Sequence, residues 1–118
     1  MKKQSFIYSL RDAFLGIAHC VVFERNIQIN IAAALLAGFL AWWVKLEKLE
    51  LLILILTSVC VLVAEMFNTA IEAVVDLISP EFHPIARIAK HIAAGAVLLT
   101  ALASLVVGYI LFFPKLFG

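Results

Sequence analysis

The residues best suited to chemistry in this 118-residue chain lie in one segment, EMFNTAIEAVVD, at positions 65–76. An α-helix turns by about 100° per residue, so polar positions spaced by three or four share one face. The polar positions on that face are Glu65, Asn68, Glu72 and Asp76. Because burying several acids together is costly, we expect them to meet cations, either a metal ion, lysine, or both. Such polar residues can also simply join helices, but three aligned acids favour a functional site.

The composition indicates a membrane protein. Hydrophobic residues make up 65% of the chain and charged residues only 14%, which a soluble domain of this size would not reach. There is no basic cluster, so nucleic acid is not expected as a partner. We expect a single domain over residues 1–118, because the predicted helices use nearly all of the length. Cys20 and Cys60 lie in apolar contexts and are expected to be buried free thiols.

Hydrophobic patterning predicts an all-α membrane protein with one interfacial helix and three transmembrane helices. The first segment is amphipathic and is expected to lie in the membrane interface. The other three are long enough to cross the hydrocarbon, which takes about 20 residues. Two prolines in SPEFHP break the chain between the last two spans. The predicted ranges are 4–24 for the surface helix and 27–44, 50–78 and 85–113 for the spans.

The basic residues predict the orientation of the chain, because short cytoplasmic loops carry an excess of lysine and arginine. One side would hold Lys2, Lys3, Arg11, Arg25, Arg87 and Lys90, and the other Lys45, Lys48 and Lys115. The first side is therefore expected to be cytoplasmic, with the N-terminus and the acidic face of the second span beside it. If the first helix continues through Glu24, that carboxylate falls on its apolar stripe. It then either snorkels at the helix end or turns inward to a site, and both possibilities remain open.

These residues are suited to phosphoryl transfer. Mg²⁺ is usually held by one or two carboxylates together with phosphate oxygens, and Glu24 and Glu72 could supply them if the first helix packs beside the second span. Lys90 could neutralise a transferring phosphoryl group or pair with a carboxylate, although a lone lysine at the interface often only snorkels. Glu65 lies deepest and could act as a general base on a lipid hydroxyl. No glycine-rich phosphate loop is present, so side chains and metal would have to hold a nucleotide.

The motifs ExxNTAIExxxD, PEFH and AKxxAAGAVLL resemble those of the prokaryotic diacylglycerol kinase family, over about residues 5–110. This family consists of small trimeric membrane lipid kinases and includes the undecaprenol kinases. The resemblance implies a homotrimeric helical bundle in the bacterial cytoplasmic membrane. It also implies transfer of the ATP γ-phosphate to a membrane lipid alcohol at the cytoplasmic face, with Mg²⁺. The versions NTAIE and AAGAV are more similar to the undecaprenol kinase branch.

The resemblance also implies a role for each matching position. Glu65 matches the catalytic base, and Glu24 and Glu72 match the metal-binding glutamates. Asn68 matches a polar residue that supports the site. The positions expected to contact nucleotide are Glu24, Glu72, Asp76, Glu81, His83, Lys90 and His91. From the sequence alone, a histidine before a proline, as at His83, is more often a turn residue or a helix cap than a ligand.

The chain departs from the family pattern at two places. His91 stands where the family usually has aspartate, and Gln28 and Asn30 stand where arginine and histidine are frequent. Histidine cannot supply a fixed negative charge, so a weakened or non-catalytic relative is one alternative to an undecaprenol kinase. A diacylglycerol kinase that forms phosphatidic acid is a second. A small channel with acids along an ion path is a third, which the clustering of the acids at one membrane face disfavours.

Overall fold

The computed structural model describes residues 5–118, which are all-α, as the sequence predicts. Its four helices are α1 (Phe6–Phe23), α2 (Arg25–Val44), α3 (Lys48–Ile78) and α4 (Pro84–Phe117). Gln4, where the predicted surface helix starts, and Lys2 and Lys3 of the orientation argument lie outside the described residues. The connections are short, so the helices follow one another as neighbours. α3 packs most extensively against α4, and α2 packs mainly against α3.

The junction between α1 and α2 differs from the prediction. The first helix does not continue through Glu24, because this residue is extended, with φ −101° and ψ 110°, and separates α1 from α2. Gln28 explains how the break is held: its Nε2 donates to the carbonyl oxygens of Val21 at 2.9 Å and Val22 at 3.0 Å. These carbonyls belong to the last turn of α1, where no helical N–H follows to satisfy them. Gln28 therefore fixes the bend that presents Glu24.

The ends of α3 and α4 follow local capping chemistry. Glu47 and Glu50 form a reciprocal capping box, which starts α3 at Lys48, two residues before the predicted start. α3 ends at Ile78, and α4 begins with Pro84 in its first turn. α4 also continues past its predicted end at Phe113, through Pro114, to Phe117. A proline near the end of a helix removes only one backbone donor, so a last turn can still form.

The outer surface of the bundle is apolar, as expected of a membrane protein. Phe39, Leu99 and Leu105 are each more than 60% exposed, whereas the core is a small cluster around Ala41, Leu54 and Leu111. Within the described residues, all four helices are long and apolar enough to cross a membrane by length and composition. α1 is the least apolar of them, and its position in the membrane interface stays a prediction. The chain is a multi-pass membrane protein.

One expectation about burial is not met among the described residues. A Cβ atom added at Gly38 or Gly108 would meet no atom within 4 Å, so neither glycine makes a close helix contact within residues 5–118. Cys20 is buried as expected, but Cys60 is exposed, because it lies on a face of α3 that no other helix of the chain covers. The charged ends of the bundle are distinct. Lys115 meets Glu50 at one end, with Nζ and Oε1 3.5 Å apart, away from the acidic face of α3.

Candidate functional site

Glu65 is the deepest acid of the chain. It is 8% exposed and is the buried charged residue of the described chain. Its Oε1 accepts a hydrogen bond from Asn30 Nδ2 on α2, at 2.9 Å and across 35 residues of sequence. A buried carboxylate is tolerated only when hydrogen bonds replace its water, and Asn30 supplies one. This pairing was not predicted from the sequence, although an asparagine inside an apolar span indicates that a polar partner is needed.

Glu65 opens onto a polar cavity of about 320 Å³ between the α1–α2 junction and α3. We call it the acidic cavity. Its lining residues are Phe23, Glu24, Arg25, Asn26, Ile27, Glu65, Asn68, Thr69 and Glu72. Glu24 therefore faces inward, and of the two possibilities left by the sequence the inward one is observed. The break of the helix at Glu24, rather than a continuous helical stripe, is what turns this residue toward α3.

The donor atoms of the acidic cavity fit a hard divalent cation. Asn68 Nδ2 donates to Glu72 Oε1 at 2.6 Å, while Asn68 Oδ1 is buried and has no hydrogen-bond partner. Two carboxylates, from Glu24 and Glu72, thus line the same space, and the orphaned amide oxygen belongs to a third lining residue, Asn68. Across residues 5–118, no three His, Cys, Asp or Glu side chains are grouped closely enough to hold a metal by themselves. One or two carboxylates are the usual protein ligands of a Mg²⁺-type site, because phosphate and water oxygens complete its shell.

A second cavity, of about 200 Å³, lies where α3, the SPEFHP turn and the start of α4 meet. We call it the turn cavity. Its polar lining includes Asp76, Ser79, Glu81, His83, Arg87 and Lys90. Lys90 Nζ forms an ion pair with Asp76 Oδ1 at 2.6 Å, which holds the end of α3 against the first turns of α4. Arg87 lies over the ring of Phe82, 5.5 Å from its centroid.

His83 and His91 differ in what the structure assigns to them. His83 Nδ1 accepts from the backbone N–H of Ile85 at 3.1 Å, so this side chain caps α4. The cap leaves only its second ring nitrogen for a ligand in the turn cavity. His91 is exposed and lines neither cavity. Its role toward a nucleotide stays a prediction.

The acidic face of α3 is therefore divided between two cavities. Glu65, Asn68 and Glu72 line the acidic cavity, and Asp76 lines the turn cavity. Five cationic or polar lining residues were not assigned to a site from sequence: Arg25, Asn26, Thr69, Ser79 and Arg87. Arg25 and Asn26 directly follow the helix break at Glu24 and line the acidic cavity. Helical periodicity did not predict this break, so it did not predict that these two residues line the cavity.

An apolar groove of about 250 Å³ runs between α2, α3 and α4 on the other side of the Asn30–Glu65 pair. Small and aliphatic side chains line most of it, including Ala33, Ala37, Leu54 and Gly108. Asn30 lines this groove, whereas Glu65 lines the acidic cavity. One hydrogen bond thus connects a space suited to a hydrocarbon chain with a space suited to cations and phosphates.

The structure is a bundle of apolar helices with a buried carboxylate in a polar cavity, an architecture that defines a membrane protein with a polar site. The chain belongs to the prokaryotic diacylglycerol kinase family, whose model matches residues 11–112. The family and its relatives confirm the predicted class, a membrane lipid kinase. Membership in a kinase family implies ATP as the phosphoryl donor and a divalent metal.

Curated relatives include members with two different names. An undecaprenol kinase of Bacillus subtilis is 42% identical over 94% of this chain and 90% of its own length. A diacylglycerol kinase of Synechocystis sp. is 38% identical over 95% of this chain, which spans only 65% of that relative. A diacylglycerol kinase of Escherichia coli is 35% identical over 81% of this chain and 79% of its own.

The Lys90–Asp76 pair supports a prediction about nucleotide binding. We expect Lys90→Met to lower kcat/KM for ATP by about 10- to 100-fold, because a cation beside a transferring phosphoryl group stabilises its charge. The pair is exposed, so the melting temperature should stay unchanged. Steady-state kinetics with varied ATP and thermal unfolding in detergent measure both quantities. Lys115→Met, which removes the other paired lysine of the described residues, is the matched control. Equal kcat/KM values for the two variants would contradict the prediction.

Proposed function

We propose that this protein transfers the γ-phosphoryl group of ATP to the hydroxyl of undecaprenol, at the cytoplasmic face of the membrane and with Mg²⁺. The observation that carries this proposal is the hydrogen bond that joins Glu65, which lines the acidic cavity, to Asn30, which lines the apolar groove. A lipid alcohol has its tail in hydrocarbon and its reacting oxygen at a polar surface. A carboxylate at that boundary can meet the hydroxyl where the tail leaves the groove.

Glu65 acts in this proposal as the general base. The lipid oxygen forms a bond to the γ-phosphorus while the bond from that phosphorus to the β,γ-bridging oxygen breaks and ADP leaves. The hydroxyl proton passes to the carboxylate of Glu65, which Asn30 holds by the other oxygen, Oε1. Positioning and charge stabilisation supply most of the catalysis in phosphoryl transfer, so the base needs only to be placed and unprotonated.

The acids of the two cavities divide the remaining work. Glu24, Glu72 and the orphaned oxygen of Asn68 would hold Mg²⁺, which neutralises charge on the phosphates when it is bound. In the turn cavity, Lys90 and Arg87 provide positive charge toward the phosphates. Asp76 restrains the ammonium group of Lys90 through their ion pair. Glu81 and His83 border the same cavity, where the rest of a nucleotide would lie.

The proposed orientation follows the distribution of basic residues. The sequence assigns six basic residues to the end with the two polar cavities, of which Arg25, Arg87 and Lys90 line those cavities, and three, Lys45, Lys48 and Lys115, to the other end. The more basic end is cytoplasmic by the positive-inside rule, and ATP is available there.

We also propose a homotrimer, as the family resemblance implies. The acidic cavity is bordered by only the α1–α2 junction and α3 of one chain, so another copy could complete its wall.

Undecaprenol is favoured over diacylglycerol as the acceptor because the relative named undecaprenol kinase is 42% identical to this chain along 90% of its own length. Diacylglycerol remains the alternative acceptor, since relatives named for it match at 35–38% identity. The groove does not select between a prenyl and an acyl tail by its lining alone.

A transfer assay distinguishes these acceptors. The purified protein is reconstituted in vesicles containing undecaprenol, diacylglycerol or neither, and radiolabel from γ-labelled ATP is followed into the lipid fraction. We expect transfer with undecaprenol that exceeds transfer with diacylglycerol. Preferential labelling of diacylglycerol would establish the alternative. No transfer to either lipid, from protein that is folded and membrane-inserted, would overturn the kinase proposal.

A further inference from the structure

Asn30 is the only described side chain that donates a hydrogen bond to Glu65. It lies within IQINIAAALLAG, a stretch of α2 in which the following turns are apolar. Its amide reaches Glu65 Oε1 from another helix at 2.9 Å. An amide in such surroundings costs free energy unless it is paired. The pairing therefore determines how α2 faces α3 at this depth, and it uses one of the two oxygens of the carboxylate.

The pairing also limits the freedom of the carboxylate. A glutamate side chain has several rotatable bonds. The hydrogen bond from the neutral amide of Asn30 restrains them in Glu65 by fixing its Oε1. Within residues 5–118, the hydrogen bond to Glu65 involves Oε1, so Oε2 is left for a ligand. Glu65 lines the acidic cavity while Asn30 lines the groove. Because Glu65 itself lines the acidic cavity, its second oxygen is the carboxylate atom that a ligand in that cavity can meet.

We propose that Asn30 is a positioning residue for the reaction, which aims the free oxygen of Glu65 at the hydroxyl of the lipid acceptor. This rests on the proposed function, in which Glu65 is the base. Asn30 touches neither the phosphates nor the hydroxyl and acts only through the carboxylate. A neutral amide suits this role, because it orients the carboxylate without adding a cation that would pair with it permanently.

Asn30→Leu tests the proposal, because leucine has the same branched arrangement of four side-chain heavy atoms as asparagine and no donor. We expect kcat to fall about 10- to 100-fold, since small misplacements of reacting groups have effects of that order. The KM for ATP should stay within about twofold, because Asn30 borders the apolar groove and neither of the two polar cavities. Asn30→His, whose ring can still donate an N–H, should retain kcat within about fivefold of the original protein. Thr100→Val is the control, because Thr100 Oγ1 donates only to Val97 of its own helix and lines neither the groove nor the two cavities.

A double variant that combines Asn30→Leu with Glu65→Gln distinguishes a positioning role of Asn30 from a structural one. If Asn30 acts through the base, Asn30→Leu should lower kcat no further once Glu65 is replaced. Full additivity, an unchanged kcat in Asn30→Leu, or a parallel rise of KM would each overturn the proposal. Should Asn30→Leu fail to assemble, Asn30→Ala carries the same comparison. Failure of the proposed function is distinct, because the unaltered protein would then transfer no phosphate to any lipid.

Discussion

Glu65→Gln should abolish nearly all lipid phosphorylation while leaving the fold intact. A general base contributes about 10²- to 10⁴-fold to a rate, so we expect kcat to fall by that factor. Asn30 Nδ2 donates a hydrogen bond to Glu65 Oε1 at 2.9 Å. Glutamine has the same shape as glutamate and keeps a carbonyl oxygen that can accept this hydrogen bond. The helix packing should therefore survive, and ATP affinity should change little because the metal-binding acids remain. Single-turnover transfer of labelled phosphate and direct nucleotide binding measure the two quantities.

Glu50→Gln is the matched control for this variant, because Glu50 lies on the same helix at the opposite end and pairs with Lys115. It should keep the kcat of the original protein. If Glu65→Gln retained more than about a tenth of the activity, Glu65 would not be the base, given the size of general-base effects. If it also lost ATP binding, its role would be structural or would extend to the nucleotide.

Glu72→Gln should raise the Mg²⁺ concentration needed for half-maximal activity by at least about 10-fold, because weakening the ligand set of a metal site typically lowers affinity by 10- to 100-fold. Glu72 lines the acidic cavity with Glu24 and accepts from Asn68 at 2.6 Å. Replacing its carboxylate removes one negative charge and one strong oxygen ligand. Activity measured across Mg²⁺ concentrations, with ATP saturating, tests this expectation.

The two glutamate variants should differ in how they respond to metal. Raising Mg²⁺ should restore part of the activity of Glu72→Gln, because the missing ligand weakens binding without removing the base. The same treatment should leave Glu65→Gln inactive. A Glu72→Gln variant with the original Mg²⁺ dependence would exclude Glu72 as a ligand. Glu81→Gln, in the turn cavity, should keep the original dependence and serves as the control.

The class of the protein could be predicted from local patterns. The share of apolar residues and the lengths of the apolar runs indicated membrane helices, and the described chain has four helices of suitable length. The motif around Asn68 and Glu72 indicated the family, which its model confirms over residues 11–112. Helical periodicity also placed Glu65, Asn68 and Glu72 together, and these three do line one cavity. Each of these properties is set by composition or by spacing along one helix.

Other features could not be read from spacing because they depend on contacts between helices. Asn30 and Glu65 are 35 residues apart, and only the packing of α2 on α3 makes them partners. Periodicity placed Asp76 with the other acids, but the fold brings Lys90 to it across the turn and assigns it to a separate cavity. Glu24 was assigned to the metal by resemblance, while its inward direction results from a helix break fixed by Gln28.

By itself, the sequence determined that this is a helical membrane protein of a lipid kinase family and that the acids from Glu65 to Asp76 share a helical face. Helix formation and membrane insertion respond to local residue types and their period, so a linear pattern suffices to predict them. The tertiary structure decided which of those acids act together, which partner holds each one, and on which side of Glu65 the groove and the acidic cavity lie. These relations depend on how α1, α2 and α4 pack around α3, and side chains far apart in sequence meet only after that packing has formed.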